Sequence, residues 1–185
     1  MDLPVPELAD SAHTAAARLR DADSVLLASH IDADGLTSAA IGATALERAG
    51  IPFEVVFSKQ LDADEISAIA GTDHETVLFT DFGSGQLDVI AEHESAGAFT
   101  PVIADHHQPA DAETEFHCNP LLEGIDGGKE LSGAGTTYVL VRALSAEATD
   151  ADDRAENGNQ PESGNRDLAA LAVVGAVGDM QTVDG

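Results

Sequence analysis

The stretch Ser29-His30-Ile31-Asp32-Ala33-Asp34-Gly35-Leu36-Thr37-Ser38 lies between an apolar run and an alanine-rich helical pattern. The apolar run at 25–28 predicts a short buried strand, and the pattern over 36–49 predicts a helix. Residues two apart in extended chain point the same way, so three polar side chains converge if the backbone stays near-extended to Gly35: His30, Asp32 and Asp34. Imidazole and carboxylate ligands suit a divalent ion such as Mn²⁺ or Zn²⁺. A solvated acidic turn with a stray histidine is the alternative interpretation.

Apolar runs and helical patterns alternate along the rest of the chain. Strands are predicted at 25–29, 52–57, 76–80 and 100–104, with a fifth, shorter strand at 115–120. Helices are predicted at 6–21, 36–49, 63–70, 86–93, 131–144 and 168–177, the last of them capped by Asp167. This alternation predicts an α/β protein with a mostly parallel, five-stranded sheet flanked by helices. We expect residues 1–185 to form a single domain, with an exposed acidic loop at about 147–166.

Polar clusters follow the first, third and fourth predicted strands. Asp81 comes directly after the third strand, and Asp105-His106-His107 comes after the fourth. Parallel sheets bind ligands at the carboxyl ends of their strands, so these side chains are expected to meet there, together with Asp179. So many carboxylates without cations would repel, and some would have to stay protonated. A pair of divalent ions relieves that repulsion, and these ligands best suit two-metal hydrolysis of a phosphoester.

The charge of the chain is extreme, with 34 acidic residues against 8 basic ones and a net charge of −26. Such a chain repels itself in dilute buffer, whereas at molar salt the Debye length falls to ~3 Å. We therefore predict a salt-adapted protein of a high-salt cytoplasm, because apolar periodicity argues against intrinsic disorder. No apolar run reaches the ~18–20 residues of a membrane span, and the N-terminus does not resemble a signal peptide.

Negative charge normally speaks against nucleic-acid binding, because affinity usually comes from basic residues that neutralise phosphates. That argument weakens in molar salt, where counterion release yields little. Contact with phosphate through bound metal would remain. Charge alone therefore does not decide between a nucleic acid and another substrate.

The polar clusters together resemble the four motifs of the DHH phosphoesterase family. His30 to Gly35 is similar to the first motif, Asp81 to the second, Asp105-His106-His107 to the third and Gly178-Asp179 to the fourth. Order and spacing agree from Val25 to Asp179. Within the family, the chain resembles the catalytic N-terminal domain of RecJ-like proteins, of the archaeal single-strand-specific exonuclease type.

The resemblance implies a dinuclear manganese site, with magnesium as a substitute. Asp81 resembles the bridging ligand of a set that comprises His30, Asp32, Asp34, Asp81, His106 and Asp179. Asp105 resembles a partner, within the ligand shell or just outside it, that orients the histidine. His107 resembles a phosphate contact, and Asp105 and His107 are the expected catalytic residues. Ser132 and Gly133 resemble a helix start that contacts substrate through free N–H groups. The resemblance does not say which of Asp32 and Asp34 serves which ion.

The function that the resemblance implies is hydrolysis of single-stranded DNA or RNA, by 5′-exonuclease action. One alternative is a phosphodiesterase for short oligonucleotides, cyclic dinucleotides or pyrophosphate. Another is a replication-associated scaffold of weak or no activity. Replication or repair proteins are the expected protein partners. RecJ-like proteins carry a C-terminal substrate-binding domain, which we expect to be absent here because nothing after Asp179 resembles it. The remaining histidines match no motif and are expected to be ordinary: His13, His74, His93 and His117.

Overall fold

The computed structural model describes residues 3–146 and 164–181, which form a five-stranded sheet between two layers of helices. The strands are β1 Val25–His30, β2 Phe53–Ser58, β3 Thr76–Thr80, β4 Thr100–Ala104 and β5 His117–Cys118. The α-helices are α1 Ala9–Arg20, α2 Ala33–Ala49, α3 Ala63–Ala70, α4 Leu87–Ser95, α5 Gly133–Ala146 and α6 Ala169–Gly178. Every pair of neighbouring strands is parallel. The predicted α/β fold and five-stranded sheet are thereby confirmed.

The core has two parts because side chains of the buried strands alternate between the faces of the sheet. Leu27 and Leu78 point to the face that α1, α2, α5 and α6 cover. Leu26 and Phe79 point to the opposite face, against α3 and α4. Helices on both faces explain why β1, β3 and β4 read as continuous apolar runs rather than as alternating ones.

The start of α2 differs from the prediction. The helix begins at Ala33 rather than at residue 36, because the Asp32 carboxylate caps it by accepting a hydrogen bond from the Gly35 N–H at 2.9 Å. Asp34 therefore lies in the first helical turn, and the expected near-extended backbone up to Gly35 is wrong. A Cβ at Gly35 would overlap the carbonyl group of His30, so glycine lets the helix begin directly at the end of the strand.

Most other predicted elements shift by only one or two residues at an end, but three differ in more than that. The first helix opens as a 3-10 turn over Pro6–Leu8, and the fifth strand shrinks to β5 because a 3-10 turn begins at Pro120. Asp167 does not cap the last helix, which follows a 3-10 turn over Arg166–Leu168. Its carboxylate pairs instead with the Arg48 guanidinium at 2.7 Å. Residues 147–163 of the predicted acidic loop lie outside the residues that the structure describes.

The strand order β2-β1-β3-β4-β5 places a topological switch point between β1 and β3. From β1 the chain moves to one side to form β2, and from β3 onward it moves to the other side. In open α/β sheets the crevice at such a point, beyond the carboxyl ends of the strands, is where ligands bind. His30 is the last residue of β1, and Asp81 directly follows β3. The fold thus brings two of the predicted site residues to this crevice.

Helix α6 reaches the same crevice through its small residues. A Cβ at Gly175 would overlap Ala134 and the Asp34 carboxylate, and one at Gly178 would overlap Ala33. The opposite face of α6 leaves three valines exposed: Val173, Val174 and Val177. In the parts of the chain that the structure describes, none of the helices combines the length and apolar character required to cross a membrane.

Candidate metal centre

Three overlapping groups of potential metal-ligand side chains meet at the switch point. One of them joins Asp81 and His106 to Asp105 and His107, and the other two contain the six expected ligands. His30, Asp32 and Asp81 form the first group, and Asp34, His106 and Asp179 form the second. Within each group one ligand atom from every residue lies within 4.8 Å of the others. All six residues for which the resemblance implied a ligand role are therefore brought together, although they come from four separate parts of the chain.

Asp81 lies between the two groups. Its Oδ2 is 3.9 Å from His30 Nδ1, and its Oδ1 is 3.3 Å from His106 Nε2. The residue has a φ of 59°, a left-handed conformation that is uncommon outside glycine and that costs free energy. A Cβ at Gly133 would overlap the Asp81 side chain, so glycine lets the start of α5 pack directly against it. Asp81 therefore faces both groups of side chains.

The beginning of α2 sends Asp32 and Asp34 to different groups. Asp32 caps the helix from outside, and its Oδ2 lies 2.9 Å from His30 Nδ1. Asp34 is in the first turn and is buried, with its Oδ2 3.8 Å from His106 Nε2. The sequence left open which carboxylate belongs with which ion, and the structure places one carboxylate in each group.

Asp34 also takes the hydrogen-bond donors that were expected to hold substrate. Its Oδ2 accepts from the Gly133 N–H at 2.8 Å, and its Oδ1 accepts from the Ala134 N–H at 3.0 Å and the Ser132 hydroxyl at 3.1 Å. A helix N-terminus favours negative charge, and here that charge belongs to the chain itself. Because these donors are buried and already paired, they do not favour direct contact of Ser132 or Gly133 with substrate.

The orientation of His106 leaves one ring nitrogen unpaired. Nδ1 lies 2.7 Å from the carbonyl oxygen of Gly127, which can only accept, so in the neutral ring Nδ1 carries the proton and Nε2 has a free lone pair. Among the described residues, neither His106 Nε2 nor Asp81 Oδ1 has a hydrogen-bond partner, although both atoms are buried. Unpaired buried polar atoms cost free energy, and a cation between them would remove that cost. The donor set and its orphaned atoms therefore fit a divalent metal.

The crowding of buried carboxylates raises three pKa values at the centre. Burial, together with the charges of Asp34 and the neighbouring carboxylates, raises the pKa of Asp81 to about 8. Burial would lower the pKa of His106, but the nearby Asp81 carboxylate and the Gly127 carbonyl outweigh it and raise this pKa to about 9. Burial and the charge of Asp34 also raise the pKa of Asp179. Without a cation, protons must compensate the crowded carboxylates.

Asp105 is fully buried and orients His107 rather than the His106 ring. Its Oδ1 accepts hydrogen bonds from the His106 N–H at 2.8 Å and from His107 Nδ1–H at 2.7 Å. Burial would raise the pKa of Asp105, but its hydrogen bonds to His107 and Ser84 hold this pKa at about 2. The expectation that Asp105 orients a histidine thus applies to the exposed His107, because the His106 ring is turned towards Gly127.

A cleft of about 540 Å³ opens beside the first group. His30, Asp81 and His107 reach its wall from the site side, and Lys59 lines it from the loop after β2. The Lys59 carbonyl lies 3.1 Å from His30 Nε2. Lys59 belongs to none of the sequence motifs, although a lysine among only 8 basic residues is a usable signal.

Several residues that support the site carried no recognisable sequence signal. They are Ser84, His117, Asn119, Gly127 and Gln181. Gln181 Nε2 donates to both Asp179 Oδ2 and the Gly127 carbonyl, at 3.1 and 2.9 Å. His117 was expected to be ordinary, yet it is buried and lies 2.9 Å from the Ser84 hydroxyl. The contacts of these residues join distant parts of the chain, which local pattern does not reveal.

The N-terminal domain of the DHH family matches residues 24–176. The chain belongs to the DHH family. It is 32% identical over 160 residues to the uncharacterized protein MJ0831 of Methanocaldococcus jannaschii. That alignment covers 82% of this chain and 32% of MJ0831. It is 28% identical over 177 residues to the single-stranded-DNA-specific exonuclease RecJ of Dickeya dadantii, covering 90% of this chain and 30% of RecJ. The chain thus spans about a third of the length of these relatives.

A solved structure shows the same architecture. RecJ of Thermus thermophilus in complex with Mn²⁺ superposes with a TM-score of 0.74 at 21% identity, over 98% of this chain and 25% of that one. At that identity the likeness establishes the fold, which is that of the RecJ DHH domain. Family membership and the shared fold support a metal-dependent phosphoesterase.

Proposed function

We propose that this domain hydrolyses phosphodiester bonds in single-stranded nucleic acid with the help of two divalent ions, Mn²⁺ or, as a substitute, Mg²⁺. The observation that carries the proposal is the unpaired, buried couple of Asp81 Oδ1 and His106 Nε2 between two groups of ligand side chains. The two atoms lie 3.3 Å from each other but are not aligned for a hydrogen bond. Two orphaned ligand atoms in a crowded set of carboxylates favour a cation as the missing partner.

The six ligand residues divide naturally between two ions. His30 and Asp32 would hold one ion, Asp34, His106 and Asp179 would hold the other, and Asp81 would contact both. When bound, such ions supply a nucleophilic water at neutral pH and stabilise the charge that develops on phosphoryl oxygens. The chain contributes the fixed positions of the ligands, through the cap of α2, the start of α5 and the Gly127 carbonyl.

His107 is the residue that we propose to contact the scissile phosphate. Its hydrogen bond to Asp105 raises the pKa of His107 and so favours the protonated ring. The side chain is 55% exposed and lines the cleft, where Nε2–H is free to donate to a phosphate oxygen. Asp105 and His107 would therefore act together, because the hydrogen bond to Asp105 orients the His107 ring. The negative charge of the phosphate would be neutralised by the His107 imidazolium and by the metal ions rather than by a basic surface.

Single-stranded nucleic acid is proposed as substrate because the Dickeya dadantii relative is named for that specificity. A phosphodiesterase for small substrates is the second candidate, because the cleft of about 540 Å³ beside the site has the size of a small-molecule pocket. A scaffold without activity is less favoured, because all six ligand positions are filled. Bis-p-nitrophenyl phosphate reports on the metal centre in either of the first two cases.

The test compares Asp81→Asn with Asp88→Asn, a matched change on the exposed surface of α4. Hydrolysis of bis-p-nitrophenyl phosphate and of a labelled single-stranded oligonucleotide is measured at molar KCl with Mn²⁺, with and without a chelator. We expect Asp81→Asn and the chelator each to abolish hydrolysis, whereas Asp88→Asn keeps it. Equal rates in the two variants would overturn the assignment of the site.

A further inference from the structure

We infer that a buried hydrogen-bonded trio, Ser84, Asn119 and His117, positions His107 in the cleft by fixing Asp105 and the backbone behind it. The inference deepens the proposed function and rests on it for the role of His107. None of the trio lines the cleft, so each would act through another residue rather than on the substrate. The trio comes from the 3-10 turn over Ser84–Gln86 and from the β5 region, neither of which supplies a proposed ligand of the metal site.

Ser84 ties the loop after β4 at two points. Its backbone N–H donates to Asp105 Oδ2 at 2.9 Å, which leaves Oδ1 of that carboxylate for His107. Its carbonyl oxygen accepts from the Ala110 N–H at 2.8 Å. One residue therefore fixes both the Asp105 carboxylate and the far end of the loop that carries His107. Ser84 is itself fully buried, in a short 3-10 turn over Ser84–Gln86.

Asn119 holds the same loop by its main chain. Its Nδ2 donates to the carbonyl oxygen of His107 and to the Ser84 hydroxyl, both at 2.9 Å. Its Oδ1 accepts from the Leu121 N–H at 2.9 Å, which fixes the amide in one orientation. His107 is consequently held twice, by Asp105 at its ring and by Asn119 at its backbone.

The chemistry of the three side chains assigns a donor and an acceptor to each hydrogen bond, from Asn119 through Ser84 to His117. The Asn119 amide nitrogen can only donate, so Ser84 Oγ accepts from it and has its own proton to place. His117 Nε2, at 2.9 Å, is the acceptor that the structure offers. In this arrangement His117 is the neutral tautomer with its proton on Nδ1. All three side chains are buried, so replacing any one leaves another unpaired, at a cost in free energy.

His107 needs such support because the rest of its side chain faces solvent. A half-exposed imidazole samples several rotamers, and a misplacement of about 1 Å can cost on the order of 100-fold in rate. The trio restricts the ring from behind while leaving its Nε2 open to the cleft. Partners of this kind typically contribute about 10-fold to 100-fold to activity without touching the substrate.

The first experiment is a double-mutant cycle with bis-p-nitrophenyl phosphate and Mn²⁺ at molar KCl. We expect Ser84→Ala and His117→Leu each to lower kcat by about 10-fold or more, with KM and bound manganese unchanged. His117→Gln retains an acceptor for the Ser84 proton and should restore most of the rate. In a His107→Ala background, Ser84→Ala should have no further effect. A loss that is as large in that background as in the wild type would show a general structural role and overturn the inference.

The second experiment does not depend on hydrolysis. In ¹⁵N-histidine-labelled protein, the bond to Asp105 should protect His107 Nδ1–H from exchange, giving a resonance that His107→Ala removes. We expect Ser84→Ala and His117→Leu to lose this resonance while their circular dichroism stays native. His93→Gln, a change on α4 away from the site, should retain it. Persistence of the resonance in both folded trio variants would overturn the inference. If the variants lose the resonance but the wild type shows no hydrolysis, that result counts only against the proposed function.

Discussion

At the scale of single residues, the separation of Asp32 and Asp34 organises the metal centre. The two carboxylates are neighbours in sequence, but one caps α2 from outside and the other lies inside its first turn. Each therefore joins a different histidine, His30 or His106. Asp81 can then face both groups from the end of β3. A helix that began only at residue 36 would have left both carboxylates on the same side.

The pH dependence of stability tests the buried neutral state of His117. Burial lowers the pKa of His117 below its ordinary value of 6.5. The unfolded chain then binds this proton more tightly, so stability is fully present above pH 6.5 and is lost as the pH falls through that value towards the folded pKa. We expect the melting temperature of the metal-free wild type to fall relative to His117→Gln between about pH 7 and about pH 5.

The comparison isolates one group, because every other titratable residue is present in both proteins. Val174→Ala, an exposed change on α6 that removes no titratable group, is the control, and it should keep the pH profile of the wild type. Parallel profiles of the wild type and His117→Gln over the whole range would contradict a buried, neutral His117.

At the scale of elements, the sheet and most of its helices could be predicted because each is a local pattern. The apolar runs of β1, β3 and β4 and the alanine-rich pattern of α2 carry that signal directly. The first residue of α2 could not be predicted, since aspartate at either 32 or 34 could serve as its cap. The shortness of β5 depends on the 3-10 turn at Pro120 and on pairing with β4 alone, which sequence periodicity does not show.

The site divides in the same way between local and long-range information. Motif residues at strand ends could be placed at the crevice from topology alone. Their supports could not, because the bonds of Ser84 to Asp105 and of His106 to Gly127 each join residues 21 positions apart. The start of α5 was expected to receive an external anion, and only the fold shows that Asp34 supplies that charge.

The close approach of α6 gives a prediction at the level of one helix. Gly175→Ala should improve helix propensity by about 1 kcal/mol, but its Cβ would overlap Ala134 and the Asp34 carboxylate. Overpacking of this kind costs about 1–3 kcal/mol, so we expect a net fall in the free energy of unfolding and weaker manganese binding. Urea denaturation and metal titration measure the two effects.

Val174→Ala is the control on the exposed face of the same helix, and it should change the free energy of unfolding by no more than about 0.5 kcal/mol. A Gly175→Ala variant that is more stable than the wild type and binds manganese equally well would mean that α6 does not pack against Asp34 as described.

At the scale of the whole molecule, the net charge of −26 should make stability depend on salt. Between about 0.15 M and about 1 M KCl the Debye length falls from ~8 Å to ~3 Å, which screens the repulsion among surface carboxylates. We expect the melting temperature of the metal-free protein to rise by several degrees over this range. NaCl at equal ionic strength should give the same rise, and a midpoint independent of both salts would contradict a salt-adapted surface.

The central claim is that Asp81 lies between two metal ions, and anomalous diffraction tests it most directly. Crystals grown at molar KCl with Mn²⁺ would be measured on both sides of the manganese absorption edge. The account predicts two anomalous peaks about 3.5–4 Å apart, one beside His30 and Asp32 and the other beside Asp34, His106 and Asp179, with Asp81 contacting both. Absence of a peak among these six side chains, or a single peak that Asp81 does not contact, would contradict it.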